Sequence, residues 1–339
     1  MSNRIINLFF GLGLAIIVCW LLRVMQFFFL PLAIAVLISF LLNPLVNRLT
    51  RRKVPLIVAA STTIVLTVLF VWLVGSIVLG SLLSFQDQFP KYESKINAMI
   101  SEARNLTHID IGPLDNLRLR TELSRLSLSS MVASTLNSFF NLIWYLLFIF
   151  VFLIYLVFGR PKLPLKINQA FPERQAARIN EALEAISHQV QSYIGAKTLT
   201  SFITGALVVI VCLFFTVDFP ITWGFFTFLL NFIPTIGVLL AALMPAAIAL
   251  VQHGWVTALW LLVVLTAIML VLGNMIEPKI LGDSVNLSPL VALFALIFWG
   301  WLWGAAGMIV AVPLTASIKF TCDNIEELRP IGALMGGKV

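Results

Sequence analysis

The sequence contains few charged residues. Of its 339 residues only 11% are charged, whereas 60% are hydrophobic. A soluble domain carries roughly 25% charged residues, so this chain has too few to cover a surface exposed to water. The composition excludes an ordinary soluble protein and predicts that the lipid bilayer is the solvent for most of the chain.

Cysteine, histidine and catalytic motifs are also scarce. Three cysteines without paired spacing and three histidines in separate regions predict neither a disulfide framework nor a metal centre. The sequence has no G-x-x-x-x-G-K-[ST] phosphate loop, no H-E-x-x-H motif and no G-x-S-x-G nucleophile turn. We therefore expect no enzyme activity, cofactor, metal or nucleic acid. Any transport should be driven by a gradient or by a partner subunit.

Long uncharged apolar runs are what the sequence has in abundance. Each reaches the ~18–20 residues that cross ~30 Å of hydrocarbon as a helix, and each is apolar on every face, unlike the alternating strands of a barrel. The runs are Ile5–Leu22, Val24–Asn47, Val54–Gln86, Leu126–Gly159, Thr198–Val217, Phe219–Ile276 (divided at His253-Gly254) and Ser284–Ile318. They predict an all-α integral membrane protein with about eight transmembrane helices, some broken or re-entrant, and a small helical extracytoplasmic region.

Basic residues predict the orientation of these spans. Lys and Arg accumulate in cytoplasmic loops, and they are concentrated at 48–53 and at 160–166. Both termini are therefore predicted to be cytoplasmic. Residues 1–85 then carry transmembrane helices 1–3, 86–130 form an extracytoplasmic helical region, 131–159 form helix 4, 160–197 form a cytoplasmic amphipathic helix, 198–320 carry helices 5–8, and 321–339 form a cytoplasmic tail.

Two segments outside the spans leave alternatives open. Apolar spacing from Ile96 to Leu106, followed by Gly112-Pro113, predicts two short amphipathic helices that form either a connector or lid, or a ligand-binding region. The narrow apolar stripe over 179–193 is typical either of a helix lying on the headgroups or of a contact between subunits.

Polar residues and helix breakers at membrane depth are the candidate site. Asn231, Pro234, Thr235 and Gly237, followed by Pro245, should break a hydrophobic segment and free backbone groups for a substrate, an ion or water. An ordinary kinked helix is the alternative. Arg23 and Lys197, by contrast, are expected to reach the headgroups by snorkelling.

A second group of polar residues lies between two apolar runs. Asn274, Glu277 and Lys279 supply an amide, an acid and a base there, next to the breakers Pro278 and Gly282. Further breakers and small residues follow downstream at Pro289, Gly300, Gly304, Gly307 and Pro313. Glycines of this kind let membrane helices approach closely.

On these residues the sequence resembles the autoinducer-2 exporter family. The resemblance covers essentially the whole chain, although region 86–125 matches only in position. It is carried by Asn231-Phe-Ile-Pro234-Thr-Ile-Gly237, Glu277-Pro278, Leu287-Ser288-Pro289, Phe298-Trp-Gly-Trp301 and Val312-Pro313-Leu314. The resemblance implies eight spans in a bacterial or archaeal cytoplasmic membrane and a homo-oligomer, with a pentamer as the best guess. It also implies export of autoinducer-2, a small polar signalling molecule; other members are described as sodium(lithium)/proton antiporters.

Three functions therefore compete. In the first, a small polar solute is exported along a pathway formed by Asn231, Pro234, Thr235 and Gly237 on one side and by Asn274, Glu277 and Lys279 on the other. In the second, Glu277 or Asp218 exchanges a proton for a cation. In the third, the chain is a non-transporting membrane scaffold or regulator.

Overall fold

The computed structural model describes residues 2–107, 128–159, 162–234, 236–281 and 287–337, and these residues are almost entirely helical. A π-helix at Leu272–Ile276 joins the helices Trp255–Val271 and Glu277–Leu281. A 3-10 helix at Glu326–Leu328 precedes the helix Arg329–Met335. The α-helices are α1 (Ser2–Val24), α2 (Gln26–Arg51), α3 (Leu56–Thr107), α4 (Leu128–Gly159), α5 (Leu163–Ala170), α6 (Glu173–Phe214), α7 (Pro220–Leu230), α8 (Ile236–His253), α9 (Trp255–Val271), α10 (Glu277–Leu281), α11 (Pro289–Asn324) and α12 (Arg329–Met335).

The predicted all-α integral membrane fold is confirmed. Among the described residues, five helices are long and apolar enough to cross a membrane, or six if the bent pair α4–α5 counts as one span. Large apolar side chains such as Leu239 and Trp260 remain exposed along them, as expected where lipid is the solvent. The predicted count of eight spans is not confirmed.

One cluster of buried apolar side chains packs around α6. This helix has 42 residues, about 63 Å at 1.5 Å per residue. Val190 and Tyr193 near its middle are buried against side chains of α2 and α11. The stripe over 179–193 is therefore the first part of one long helix that continues into the apolar segment after Lys197. Its two interpretations, a helix on the headgroups or a contact between subunits, stay predictions.

Helix α3 extends well beyond one membrane span. It has 52 residues, about 78 Å of helix, and continues without interruption past residue 85 to Thr107. The first of the two short helices predicted in the outer region is thus the end of α3. The predicted turn at Gly112-Pro113 and the second short helix lie outside the described residues.

Helices α7 and α8 form a hairpin, and the interruption predicted between Asn231 and Gly237 lies at its tip. The backbone N–H of Asp218, just before α7, donates to Oε1 of Gln252 at the end of α8, 3.2 Å away. Both open ends of the hairpin therefore lie at the carboxyl end of α6. Helix α7 has 11 residues, about 16 Å, too short to cross ~30 Å of hydrocarbon.

Helix α11 contains a second hairpin. Trp303 and Gly304 have non-helical backbone angles, with φ of 65° at Gly304. The indole N–H of Trp299 donates to the Thr315 hydroxyl across 3.1 Å, although 16 residues of straight helix would separate them by about 24 Å. The chain consequently reverses at 303–304, and Gly300 and Gly307 allow the arms 289–302 and 305–324 to pack closely.

The base of the second hairpin lies against the first half of α6. There the Asn324 amide donates to Oε1 of Gln189, near the middle of α6, across 3.1 Å. The backbone N–H of Ser288 donates to the carbonyl of Met335 in α12 across 2.9 Å. The carboxyl-terminal segment therefore packs against this base, whereas the first hairpin opens near the carboxyl end of α6.

Several predicted breakers do not break a helix. Pro245 lies inside α8 and Pro313 inside the second arm of α11, and both helices continue. Each proline removes one backbone hydrogen bond, but surrounding helices support such residues in membranes, and Pro245 is fully buried. Pro289 lies in the first turn of α11, where a missing N–H costs no helical bond. Pro278 follows the π-helix directly, inside a continuous helical run. Gly282 lies outside the described residues.

A close backbone contact sets the spacing of α6 and α7. A Cβ atom added to Gly205 would lie 2.6 Å from the carbonyl oxygen of Gly224. Glycine at both positions lets the two helices touch, as in other small-residue membrane interfaces.

We predict that Gly205→Ala destabilises the protein by about 1–3 kcal/mol, because the added methyl group overpacks this interface. Thermal unfolding of the purified protein in detergent measures the effect. Gly195→Ala is the matched control on the same helix, where an added Cβ meets nothing within 4 Å. The control should lose no stability, since alanine is the better helix former. Equal unfolding temperatures for the two variants would contradict the contact.

Candidate functional site

The middle of α6 carries a cluster of polar side chains. Lys197, Thr200, Ser201 and Thr204 lie within two turns, and the three hydroxyl residues are buried. The Thr200 and Thr204 hydroxyls donate to backbone carbonyls of the preceding turn, at 3.0 and 2.8 Å. Ser201 instead bonds to another helix, so this part of α6 offers a polar surface inside an apolar fold.

The tip of the first hairpin lies against this surface. The Asn231 amide donates to the Ser201 hydroxyl across 2.9 Å. Gly237, at the start of α8, is buried so closely against the carbonyl of Leu230 that no side chain fits there. Pro234 is exposed at the tip, and Thr235 lies outside the described residues.

One helical turn before Ser201, Lys197 forms an ion pair with Glu277. The amine and carboxylate oxygen are 2.6 Å apart, and the two side chains are only 12% and 16% exposed. The prediction that Lys197 snorkels to the headgroups is wrong, because its charge is satisfied inside the protein by a carboxylate. A pair this well shielded is costly to break by removing one partner.

The π-helix determines where Glu277 lies. Leu272–Ile276 widens the helix between α9 and α10, and Glu277 follows at the start of α10 next to α6. Short π-helical insertions are frequent at functional sites because they change the direction of side chains. Asn274 and Lys279, on either side of Glu277, are exposed.

The structure thus joins only part of the predicted site. Asn231 and Glu277 bond to the middle of α6, and Gly237 packs against Leu230 within the hairpin. Pro234, Asn274 and Lys279 are exposed. Ser201 was missed. Its signal in the sequence is its spacing of four residues from Lys197, which places both side chains on one face of a helix.

A second polar network lies at the open end of the first hairpin. The Tyr92 hydroxyl donates to Oδ2 of Asp218 across 2.5 Å, and the Lys95 amine donates to the Gln252 carbonyl across 3.1 Å. Burial, together with the hydrogen bond to Asp218, raises the pKa of Tyr92 above its usual value, so the phenol remains a donor. These contacts attach the outer part of α3 to the hairpin, and they occupy Asp218.

Within the described ranges, no three His, Cys, Asp or Glu side chains are grouped as ligands of a metal ion. The polar surface on α6 offers the Ser201 hydroxyl, and two groups from other segments contact it. These are the Asn231 amide and the Glu277 carboxylate, which neutralises Lys197. Such groups are suited to hydrogen bonding with a polar ligand.

A multi-pass helical protein with a broken helical segment at a polar site has the architecture of a membrane transporter. Comparison with known families is consistent with this class. The family model described as AI-2E family transporter matches residues 6–327, and the chain belongs to this family.

Characterised and putative relatives cover nearly the whole chain. A putative transport protein of Borreliella burgdorferi is 28% identical over 98% of this chain and 91% of its own length. The AI-2 transport protein TqsA of Escherichia coli K12 is 32% identical over 96% of this chain and 94% of its own length. A putative transport protein of Haemophilus influenzae is 27% identical over 90% of this chain and 89% of its own length.

We predict that Glu277→Leu destabilises the protein by about 3–5 kcal/mol, because it leaves the Lys197 charge shielded and unpaired. The double variant with Lys197→Met should recover most of that loss, since both charges are then absent. Thermal unfolding of the single and double variants in detergent measures the coupling. Lys279→Met, which removes an exposed lysine two residues away, is the control and should change little. Additive losses in the double variant would show that the pair contributes nothing.

Proposed function

We propose that this AI-2E family transporter exports a small polar solute along the polar surface in the middle of α6. The observation that carries the proposal is the meeting of Asn231, Ser201 and the Lys197–Glu277 pair within about one helical turn. A related protein that is 32% identical is named for transport of AI-2. This name supports a solute of similar chemistry, small and rich in hydrogen-bonding groups.

The hairpin tip supplies the polar contacts for such a solute. The amide of Asn231 and the hydroxyl of Ser201 bond to each other at rest, and both also form hydrogen bonds with hydroxyl or carbonyl groups. A solute that enters between them replaces one bond with two. Because 231–234 is not helical, the tip can shift without breaking a regular helix.

The neighbouring ion pair is proposed as a gate. Lys197 and Glu277 connect α6 to α10, so their contact closes the space between these helices one turn from Ser201. Asn274 and Lys279 are exposed on the same segment and are proposed to line the approach, as is Pro234 at the hairpin tip.

The multi-pass chain is proposed to lie in a bacterial cytoplasmic membrane with both termini inside the cell. The basic loop at 48–53 supports this orientation, because Lys and Arg are concentrated in cytoplasmic loops. A homo-oligomer, with a pentamer as the best guess, rests on the family. The family assignment favours transport over the scaffold or regulator alternative.

We predict that Asn231→Leu lowers solute efflux on the order of 3–10-fold, the cost of losing a hydrogen bond worth ~0.5–1.5 kcal/mol. Efflux of labelled AI-2 from proteoliposomes is the measurement, with size-exclusion chromatography to show that assembly is unchanged. Asn47→Leu replaces an exposed asparagine on α2 and is the matched control. Unaltered efflux in Asn231→Leu alongside active wild type would exclude the hairpin tip from the pathway.

Cation/proton antiport is the second candidate. It is favoured by one observation, the shielded carboxylate of Glu277 beside a lysine that can replace a bound cation. Asp218, the other carboxylate considered, bonds to Tyr92 in the outer network and is better explained as a structural residue.

If the chain is an antiporter, sodium or lithium added to proteoliposomes should drive proton movement that a pH-sensitive dye reports. We expect Glu277→Gln to abolish this flux, because the amide binds neither the proton nor the cation. Asp218→Asn should retain most of it, since an amide still accepts the hydrogen bond from Tyr92. The absence of any cation-dependent proton movement in the wild type would remove this candidate.

A further inference from the structure

An open cleft of about 980 Å³ lies between the end of α1 and the tip of the second hairpin. It is separate from the polar surface on α6. The tip is fixed there by the indole N–H of Trp303, which donates to the Leu22 carbonyl across 3.1 Å. The described residues that line the cleft include two tryptophans, one amide side chain and one charged residue, Arg23.

Arg23 lies over the ring of Trp301, with 4.5 Å between the guanidinium carbon and the ring centroid. A cation–π contact does not use up the guanidinium N–H groups, which can form paired hydrogen bonds with a planar or tetrahedral oxyanion. In the described part of the chain, no carboxylate forms an ion pair with Arg23. Arg23 is exposed, and a basic side chain at the membrane surface attracts anionic headgroups, so the cleft favours an anionic ligand.

The other residues of the cleft have the composition of the membrane interface. Trp20 and Trp301 are 63% and 54% exposed, and tryptophan is enriched where hydrocarbon meets headgroups. Gln26 adds a hydrogen-bonding amide at the same level. Along α1 the cleft continues into exposed apolar side chains, Ile16 and Val24. A polar end with a cation and an apolar wall beside it match a molecule that has an anionic head and hydrocarbon chains.

We propose that this cleft binds the headgroup of an anionic phospholipid, with its phosphodiester on Arg23 and its acyl chains along α1. The headgroup hydroxyls of a lipid such as phosphatidylglycerol would bond to Gln26. The apolar wall distinguishes this ligand from a soluble phosphate, which would gain nothing from it. The bound lipid connects α1 to the tip of the second hairpin. Gly304 adopts its non-helical conformation at this tip.

The test is lipid binding by the purified, delipidated protein, measured by native mass spectrometry during titration with phosphatidylglycerol or with phosphatidylcholine of the same chains. We expect the wild type to prefer phosphatidylglycerol, and Arg23→Gln to bind it about tenfold more weakly, as expected for a lost charge-assisted hydrogen bond. Arg51→Gln, at the exposed end of α2, is the matched control and should keep the preference.

Arg23→Lys keeps the charge but loses the paired hydrogen bonds of the guanidinium, so it should bind phosphatidylglycerol several-fold more weakly than the wild type. This variant replaces Arg23→Gln in the test if Arg23→Gln does not fold. Wild-type affinity in every Arg23 variant that folds overturns the proposal. Displacement of phosphatidylglycerol by millimolar glycerol phosphate also overturns it, since the cleft would then be a soluble-anion site. Binding is measured without transport, so a failure of the solute-export proposal leaves this result unaffected.

Discussion

The fold depends on one constraint: backbone amides and carbonyls in hydrocarbon must be hydrogen-bonded within the protein, since no water is available to them. Regular helices meet it everywhere along a span, and the described chain is accordingly almost all helix. Interruptions are tolerated only where other protein groups surround them. At the first hairpin tip the backbone N–H groups of Phe232, Ile233 and Gly237 donate to carbonyls within the hairpin. The Asn231 side chain then bonds the tip to α6.

Helix α6 holds the first hairpin in place with small and polar side chains. Near its carboxyl end Gly205 brings α7 into backbone contact, and one turn earlier Ser201 bonds to the hairpin tip. A further turn earlier Lys197 pairs with Glu277. An apolar helix would pack as tightly against α7, but it would leave the broken tip without a polar partner. The candidate site is therefore the place where the fold already needs polar groups.

The sequence predicts the parts of this structure that local chemistry controls. Uncharged runs predict membrane helices, and Pro234 with Gly237 predicts the interruption that is observed. The same reasoning fails at Pro245, because the helices packed around a proline decide whether its helix continues. Lys197 and Glu277 are 80 residues apart, and nothing in one sequence says that two distant opposite charges will meet. Gly304 is among the predicted breakers, but the reversal of the chain there is not predicted, since it depends on the contact between Trp299 and Thr315.

The ion pair also ranks the two candidate functions. A cation or a proton that binds to Glu277 takes away the partner of Lys197, and the lysine then keeps its charge where little water can reach it. Antiport consequently requires a second movement that exposes Lys197 each time the carboxylate is loaded. A neutral polar solute forms hydrogen bonds with Asn231 and Ser201. It leaves the Lys197–Glu277 ion pair intact, or separates the two side chains only while it moves past them. The geometry at rest therefore favours solute export, because that process requires the smaller change in electrostatic energy.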